Sequence, residues 1–415
     1  MTKEAERTQK STATSTGPLS GIKVLDLTTV IMGPLATMIL GDFGADVIKV
    51  ESHEGDITRN VSPMRSPGMG HLFLNSNRNK RSIALNLKNA AARDALLKLV
   101  LNADVLVHNI RSESIERLGL DYDVISKIKP DIVYAQAVGY GSKGRYAGKP
   151  AYDDLIQGLA ALPSLMQEAG SDVPRYLPTP IADRAVGLYL VAVISAALAH
   201  RARTGRGQMI EVPMFEVLTQ FVLGDHMGGL TFDPPIGDPH YGRLISHERK
   251  PFATKDGYIC VLVYNDKHWQ SLFRIIGEES KFASDARFSS HTARMQNVDA
   301  VYLFVADILK KRTSAEWITV LEEADIPAMP LHSVRTLVQD PHLEDVNFFP
   351  ILNHPTEGKL RTTGIPTNWS DSPPEIRMLA PKLGEHSVEI LRSLKMSDSE
   401  IECALEINLS YKSNV

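Results

Sequence analysis

Asp183 sits in Pro178-Thr-Pro-Ile-Ala-Asp-Arg-Ala-Val-Gly187, just ahead of an apolar run from Leu188 to Leu198. The run reads as a buried helix, and Arg201, Arg203 and Gly205 give it a cationic last turn and a glycine stop. A carboxylate is thus presented at the positive end of a helix. That position favours its ionised form and sets it beside unpaired backbone N–H groups. These are suitable conditions for a carboxylate nucleophile, whose tetrahedral oxyanion needs donors close by. The plainer alternative is that Asp183 only caps its helix, a common task for aspartate.

Four other groupings carry residue types that do chemistry. Gly139-Tyr-Gly-Ser-Lys-Gly144 matches GxGxxG and follows a strand. A dinucleotide loop must also open a helix, and Gly148 and Pro150 forbid one here. The glycines instead allow a close backbone approach at the mouth of a sheet. Asn77-Arg-Asn-Lys-Arg81 is a dense basic cluster suited to a phosphate group, or else a solvated basic turn. Tyr152-Asp153-Asp154 offers two carboxylates, but neighbours on a helix diverge by about 100° and cannot act on one substrate as a pair. One of them can cap the helix that follows. His108-Asn109 ends a strand, where open parallel sheets bind ligands; a lone histidine there also serves as a structural hydrogen-bonder.

The elements that must position these groups alternate. Strands are expected at Ile22–Leu27, Ala45–Val50, Ser82–Leu87, Asp104–Ile110, Asp131–Val138 and Gln208–Pro213. Helical segments lie between them, from Gly33-Pro34 through Leu40, Ala90–Leu101 and Tyr122–Ile128. Such alternation predicts a parallel sheet covered by helices on both faces. Gly228 to His247 is rich in glycine and proline and reads as a loop or hinge. A smaller unit follows from about Pro251, with a strand at Tyr258–Val263 and helices near 267–276, 299–311 and 315–323. A helix is expected from Ser387 to Leu394.

Composition narrows the function classes. The chain has 415 residues, 43% hydrophobic and 23% charged, with a net charge of -4. That balance shows no overall bias toward nucleic acid. Two cysteines without CxxC spacing exclude a disulfide framework and a structural zinc site, and fit a reducing cytoplasm. There is no HExxH, no metal site is indicated, and no apolar stretch is expected to reach a membrane span. Residues 1–18 read as a disordered tail without the features of a targeting peptide.

The motifs and their order resemble the family III CoA-transferases, the group of formyl-CoA and carnitine CoA-transferases that includes the α-methylacyl-CoA racemases. The resemblance runs from about Leu19 to the C-terminus. It rests on Gly33-Pro34, Leu40-Gly-Asp-Phe-Gly-Ala-Asp-Val-Ile-Lys-Val-Glu51, Gly55-Asp56-Ile-Thr-Arg59 and Asn79-Lys-Arg-Ser82. It continues through Arg117-Leu-Gly119, Gly139-Tyr-Gly141, Ile181-Ala-Asp183 with Gly187, Thr204-Gly-Arg-Gly-Gln208 and Leu383-Gly-Glu-His386.

The resemblance implies an α/β fold: a large Rossmann-like parallel-sheet domain with a smaller α+β domain inserted in it. The large domain would take 19–227 and 329–415, with a linker at 228–250 and the small domain at 251–328. Two chains would interlock like ring links into a homodimer, in the cytoplasm, with no nucleic-acid or membrane partner. Asp183 falls where the family keeps its nucleophile. The CoA cradle falls at Ile31, Met32, Ser52, Leu85, Leu87, Lys88, Asn109, Ile110, Arg111, Arg117, Val138, Gly139, Tyr140 and Gly141, with Arg81 as a contact for the nucleotide end. No cofactor would be bound permanently, because the CoA thioester is the substrate. The implied reaction moves CoA from an acyl-CoA donor, succinyl-CoA by family habit, to a carboxylic acid. Ile31 stands where formyl and oxalyl enzymes carry Gln, and Val138 where they carry Lys, which speaks against that substrate pair. The alternatives are a racemase and a silent acyl-CoA-binding protein. The racemases place His where this chain has Tyr152, and a phenol of pKa about 10 is a poor base.

Overall fold

A computed structural model describes residues 16–409; residues 1–15 of the expected tail lie outside them. The chain divides into two compact units. The first comprises residues 16–156, 179–218 and 343–409, and its centre is a six-stranded sheet. The strands are β1 (Lys23–Leu27), β2 (Asp46–Glu51), β3 (Lys80–Ala84), β4 (Val105–His108), β5 (Val133–Val138) and β6 (Gln208–Pro213). All neighbours are parallel, in the order β3-β2-β1-β4-β5-β6. Each expected strand is present, because near-continuous apolar runs are what a sheet buried on both faces requires. β3 is the exception in register: it starts at Lys80, so Leu85 to Lys88 lie past its end.

The order reverses between β1 and β4, where Leu27 pairs with His108. In such sheets the crevice outside the carboxyl ends at this switch point is the place for a ligand. The C-terminal helices Ser387–Ser393 and Asp398–Leu405 share a core with the N-terminal half, where Ile390, Leu391 and Ile401 pack with Leu96, Val100 and Leu106.

The helix carrying Asp183 runs from Ile181 to Thr204 and ends on Gly205 in the left-handed region, with Arg201 and Arg203 in its last turn. The sequence pattern starts it at Leu188, but structurally Asp183 is already in the first turn. Nor is the run fully buried, since Leu188 and Tyr189 are exposed. At 24 residues the helix is long and apolar enough to cross a membrane by length and composition alone, which corrects the expectation that no stretch reaches that length. Its buried positions Val186, Gly187, Leu190 and Ile194 face the Met32–Asp42 helix and β5. Gly187 permits the approach: a Cβ there would sit 2.8 Å from the carbonyl oxygen of Met32.

The second unit comprises 157–178 and 219–342, and so reaches beyond the 251–328 segment. Three antiparallel strands, β7 (Phe252–Ala253), β8 (Tyr258–Val261) and β9 (Ala328–Pro330), pack with helices Asp266–Ile275, Val298–Leu309 and Ser314–Glu323. Trp269, Phe273, Phe288 and Trp317 form its core.

Candidate active site

The carboxyl ends of β1 and β4 hold a turn whose polar atoms are taken up one by one. The Thr28 N–H donates to Asp26 at 2.9 Å, and the Thr28 carbonyl accepts from Lys49 Nζ at 2.8 Å. Thr29 exchanges two bonds with the Asn109 amide, 3.0 Å from its N–H and 2.9 Å to its carbonyl. Val30 has φ +74°, a left-handed conformation that a β-branched residue rarely adopts. Its N–H donates to both oxygens of Asp56 at 3.2 Å. Backbone strain of this kind needs surroundings that over-determine it, and it gathers at functional sites. The turn delivers Ile31 and Met32, both buried, to the start of the Met32–Asp42 helix. Pro34 in its first turn has no N–H to leave unpaired.

Gly187 holds the Asp183 helix against that turn, with Asp183 one helical turn earlier on the same face. The N-cap is Pro180, which makes no side-chain cap bond, so Asp183 is not the cap. Its carboxylate takes no hydrogen bond from the described residues. Its own N–H donates to Asp153 Oδ1 at 3.0 Å. Burial, and then the charge of Asp153, push the Asp183 carboxyl up to about 7, against a smaller opposing pull from Arg184. This corrects the expectation that the helix end keeps it ionised. A surface helix terminus is worth about 0.3–1 kcal/mol to a charge, less than these two effects together.

β5 runs out through Val138 to Gly141, and this loop is pinned from below. Gly141 N–H donates to Glu216 at 2.9 Å, Ser142 N–H donates to Glu211 at 2.9 Å, and the Gly139 carbonyl accepts from Phe215 N–H at 3.1 Å. Tyr140 is buried against the rings of Tyr146 and Phe215. A Cβ on Gly139 would lie 2.2 Å from Ala151 Cβ, and one on Gly141 would lie 2.7 Å from Glu216. The chain's own packing therefore demands glycine at 139, whereas at 141 the contact is the movable end of the Glu216 side chain. As expected, no dinucleotide helix follows the loop; the next helix begins at Asp153.

Most of the other residues expected to cradle CoA follow the carboxyl ends of β2, β3 and β4. Ser52 is exposed directly after β2. Leu85 is buried in the core, Leu87 packs against it, and Lys88 is exposed. Ile110 is part-buried after β4 and donates its N–H to His108 Nδ1 at 3.2 Å. Arg111 is exposed before the Ser112–Arg117 helix, and Arg117 bonds back to Glu113 and Ser114 in that helix. His108 itself is buried, its Nε2 has no partner among the described residues, and burial pushes its pKa down to about 4. Burial keeps it neutral at ordinary pH, packed edge-on against Tyr134.

Arg81 is not brought to these strand ends. It stands near the amino end of β3, paired two-pronged with Asp46 at 2.8 and 3.2 Å and reaching Glu389 at 3.4 Å. The cluster before it is neither a solvated turn nor a phosphate cradle. Asn77, Arg78, Asn79 and Lys80 are all buried, Arg78 on Asp42 and Lys80 on Asp26 at 2.9 Å. Sequence reasoning missed Lys49, Asp56, Glu211 and Glu216, and missed the bond that the Asp183 N–H donates to Asp153. Lys49 and Asp56 stood in recognised motifs but without a role, and carboxylates that grip backbone amides from other elements have no spacing signature.

A parallel sheet in the order β3-β2-β1-β4-β5-β6, with a part-buried carboxylate near its switch point, defines a Rossmann-like α/β protein. The chain belongs to CoA-transferase family III, whose model matches residues 19–387, and it is a CoA-transferase. It is 32% identical over 407 residues to an acyl-CoA transferase of Fusarium pseudograminearum, covering 94% of this chain and 88% of that protein. It is 31% identical over 388 residues to a succinate–glutarate CoA-transferase of Agrobacterium fabrum, covering 91% and 96%. Among solved structures, a CAIB/BAIF family protein from Brucella suis matches with TM-score 0.77 and 29% identity, covering 91% of this chain and 99% of that one.

Proposed function

We propose that the protein moves CoA from an acyl-CoA donor, succinyl-CoA in the first instance, to a carboxylic acid acceptor, with Asp183 as nucleophile. The observation that carries this reading is the Asp183 carboxylate: half-buried, free of hydrogen bonds from the described residues, and raised to about 7. At neutral pH such a group is substantially ionised and more basic than an ordinary carboxylate, as a nucleophile should be.

One Asp183 oxygen adds to the thioester carbonyl carbon. The C–S bond breaks, and CoA leaves as the thiolate with the bonding pair. A mixed anhydride of Asp183 and the acyl group remains. The thiolate then attacks the Asp183 carbonyl carbon, expels the donor acid as its carboxylate and leaves an Asp183–CoA thioester. The acceptor carboxylate attacks that carbonyl, displaces thiolate and forms a second anhydride. Thiolate attack on its acyl carbon gives the new acyl-CoA and restores the Asp183 carboxylate. Every covalent intermediate holds the Asp183 carbonyl activated, as anhydride or thioester, so water must be excluded throughout. Thr28–Met32, Asn109–Arg111 and Val138–Gly141 are the proposed walls for the CoA arm. Two chains form an interlocked homodimer in this proposal, and the enzyme works in the cytoplasm.

Incubation with labelled acyl-CoA and hydroxylamine, followed by peptide mapping, tests the reading. The expected result is a hydroxamate at Asp183, absent in Asp183→Asn. Unchanged CoA exchange between two acids in Asp183→Asn would overturn it. The donor and acceptor are found by screening acids against succinyl-, acetyl- and acetoacetyl-CoA.

A further inference from the structure

Asp153 opens the Asp153–Leu159 helix, thirty residues before the nucleophile, and its Oδ1 accepts the N–H of Asp183 at 3.0 Å. This N–H is one of those that the uncapped start of the Ile181–Thr204 helix cannot satisfy internally. A second carboxylate is thereby fixed against the backbone of the first. Asp153 does not reach the reacting carbonyl through this bond, so it acts through Asp183.

We propose that Asp153 is a positioning residue which both orients the first turn bearing Asp183 and primes the Asp183 carboxylate by like-charge repulsion. The inference rests on the reading of Asp183 as nucleophile. Its electrostatic logic follows from the charge balance of the first step. Asp183 is an anion before acylation and neutral as an anhydride. A fixed negative neighbour raises the energy of the first state and not of the second, so it favours acylation. The same repulsion makes Asp183 more basic and lets it carry a proton more often near neutrality. The positive end of the helix would do the reverse, and Asp153 offsets it by occupying one of its donors.

The surroundings leave Asp153 as the nearby anion. Arg184 pulls weakly the other way. The Met32–Asp42 helix alongside has no charged residue before Asp42, which is tied to Arg78. β5 offers Tyr134, bonded to the Leu120 carbonyl, and β6 offers Glu211, bonded to Ser142.

The experiment measures the pH dependence of CoA thiol release in the first turnover, for the wild type and Asp153→Asn. Asparagine keeps an acceptor oxygen for the Asp183 N–H and removes the charge. The expected result is an acid limb displaced downward by about one pH unit, with a plateau rate lowered several-fold and little change in KM for the acyl-CoA. Asp153→Glu keeps the charge and should hold the limb close to the wild-type position. An acid limb in Asp153→Asn that coincides with wild type overturns the proposal. Should the asparagine variant fail to fold, a carbon-13 titration of the Asp183 carboxylate in wild type and Asp153→Ser decides. A lower midpoint in Asp153→Ser supports the proposal, and equal midpoints refute it. Loss of activity in Asp183→Asn together with an unmoved limb in Asp153→Asn removes this inference alone. Persistence of activity in Asp183→Asn removes the functional reading beneath it.

Discussion

Lys49 Nζ lies 3.1 Å from Asp56 Oδ2 with both side chains shut away from solvent, and the same carboxylate grips the N–H of Val30. Burial works against ionising either group. Asp26 and Asp56 nevertheless hold the Lys49 pKa up, while Lys49 and Thr58 hold the Asp56 carboxyl down. A buried cation thus fixes a carboxylate, which fixes a strained amide at the mouth of the switch-point crevice. Sequence shows a lysine on a strand and an aspartate after a glycine; the three-way contact exists only once β1 and β2 lie side by side.

Removing one member of this set leaves a buried charge without its partner. Lys49→Met should therefore destabilise the protein by about 3–5 kcal/mol in chemical denaturation. Any soluble remainder should bind CoA thioesters poorly, because the Val30 turn loses its anchor. A loss below about 1 kcal/mol would mean that Asp56 finds another partner or takes up a proton.

The loop after β5 makes a steric prediction with an internal control. Gly139→Ala places a Cβ 2.2 Å from Ala151, two residues before Asp153. Overpacking of this kind costs about 1–3 kcal/mol, and here it also shifts the residue that holds the Asp183 amide. Gly144→Ala meets only the Gly141 carbonyl oxygen at 3.5 Å and should be tolerated. Comparing melting temperature and CoA-transfer rate for the two variants checks this. Equal activity in both would show that the Gly139 contact relaxes without disturbing the site.

Most of the scaffold was legible because a doubly covered parallel sheet writes itself as apolar runs with helical spacers, as at Val24–Leu27 and Val105–Val107. The helix that carries Asp183 was legible, while the setting of its carboxylate was misread. The helix start at Ile181 and the neighbouring Asp153 are set by tertiary packing, and an N-terminus counted from the apolar run alone gave the carboxylate the wrong environment. The buried cluster Arg78–Lys80 was misread for a related reason. Charged residues are expected outside unless paired, and their partners Asp42 and Asp26 lie far away in sequence.

Arg81 should prove structural in the mild sense. Its pair with Asp46 is part-exposed, at 21% and 42% for the two side chains, so Arg81→Ala should cost at most about 1 kcal/mol. The KM for acyl-CoA should be unchanged, with dephospho-CoA thioesters behaving alike in variant and wild type. A selective rise in KM for the 3′-phosphorylated substrate would return Arg81 to the binding site.

Asp183 should also leave its mark on stability. Its carboxyl rises from an unfolded value of about 4 to about 7 in the folded protein. Between those values the native state binds a proton that the unfolded chain has released. The Asp183 contribution is therefore fully present below pH 4 and is lost as pH climbs through 7. Asp183→Asn should be more stable than wild type at pH 8, and the advantage should vanish near pH 4. His108 slopes the other way, since burial lowers it to about 4 and its contribution is lost as pH falls from about 6.5. Melting curves of wild type, Asp183→Asn and His108→Gln across pH 4–8 separate the two. A constant offset between Asp183→Asn and wild type over that range would show that Asp183 titrates as an ordinary solvated aspartate.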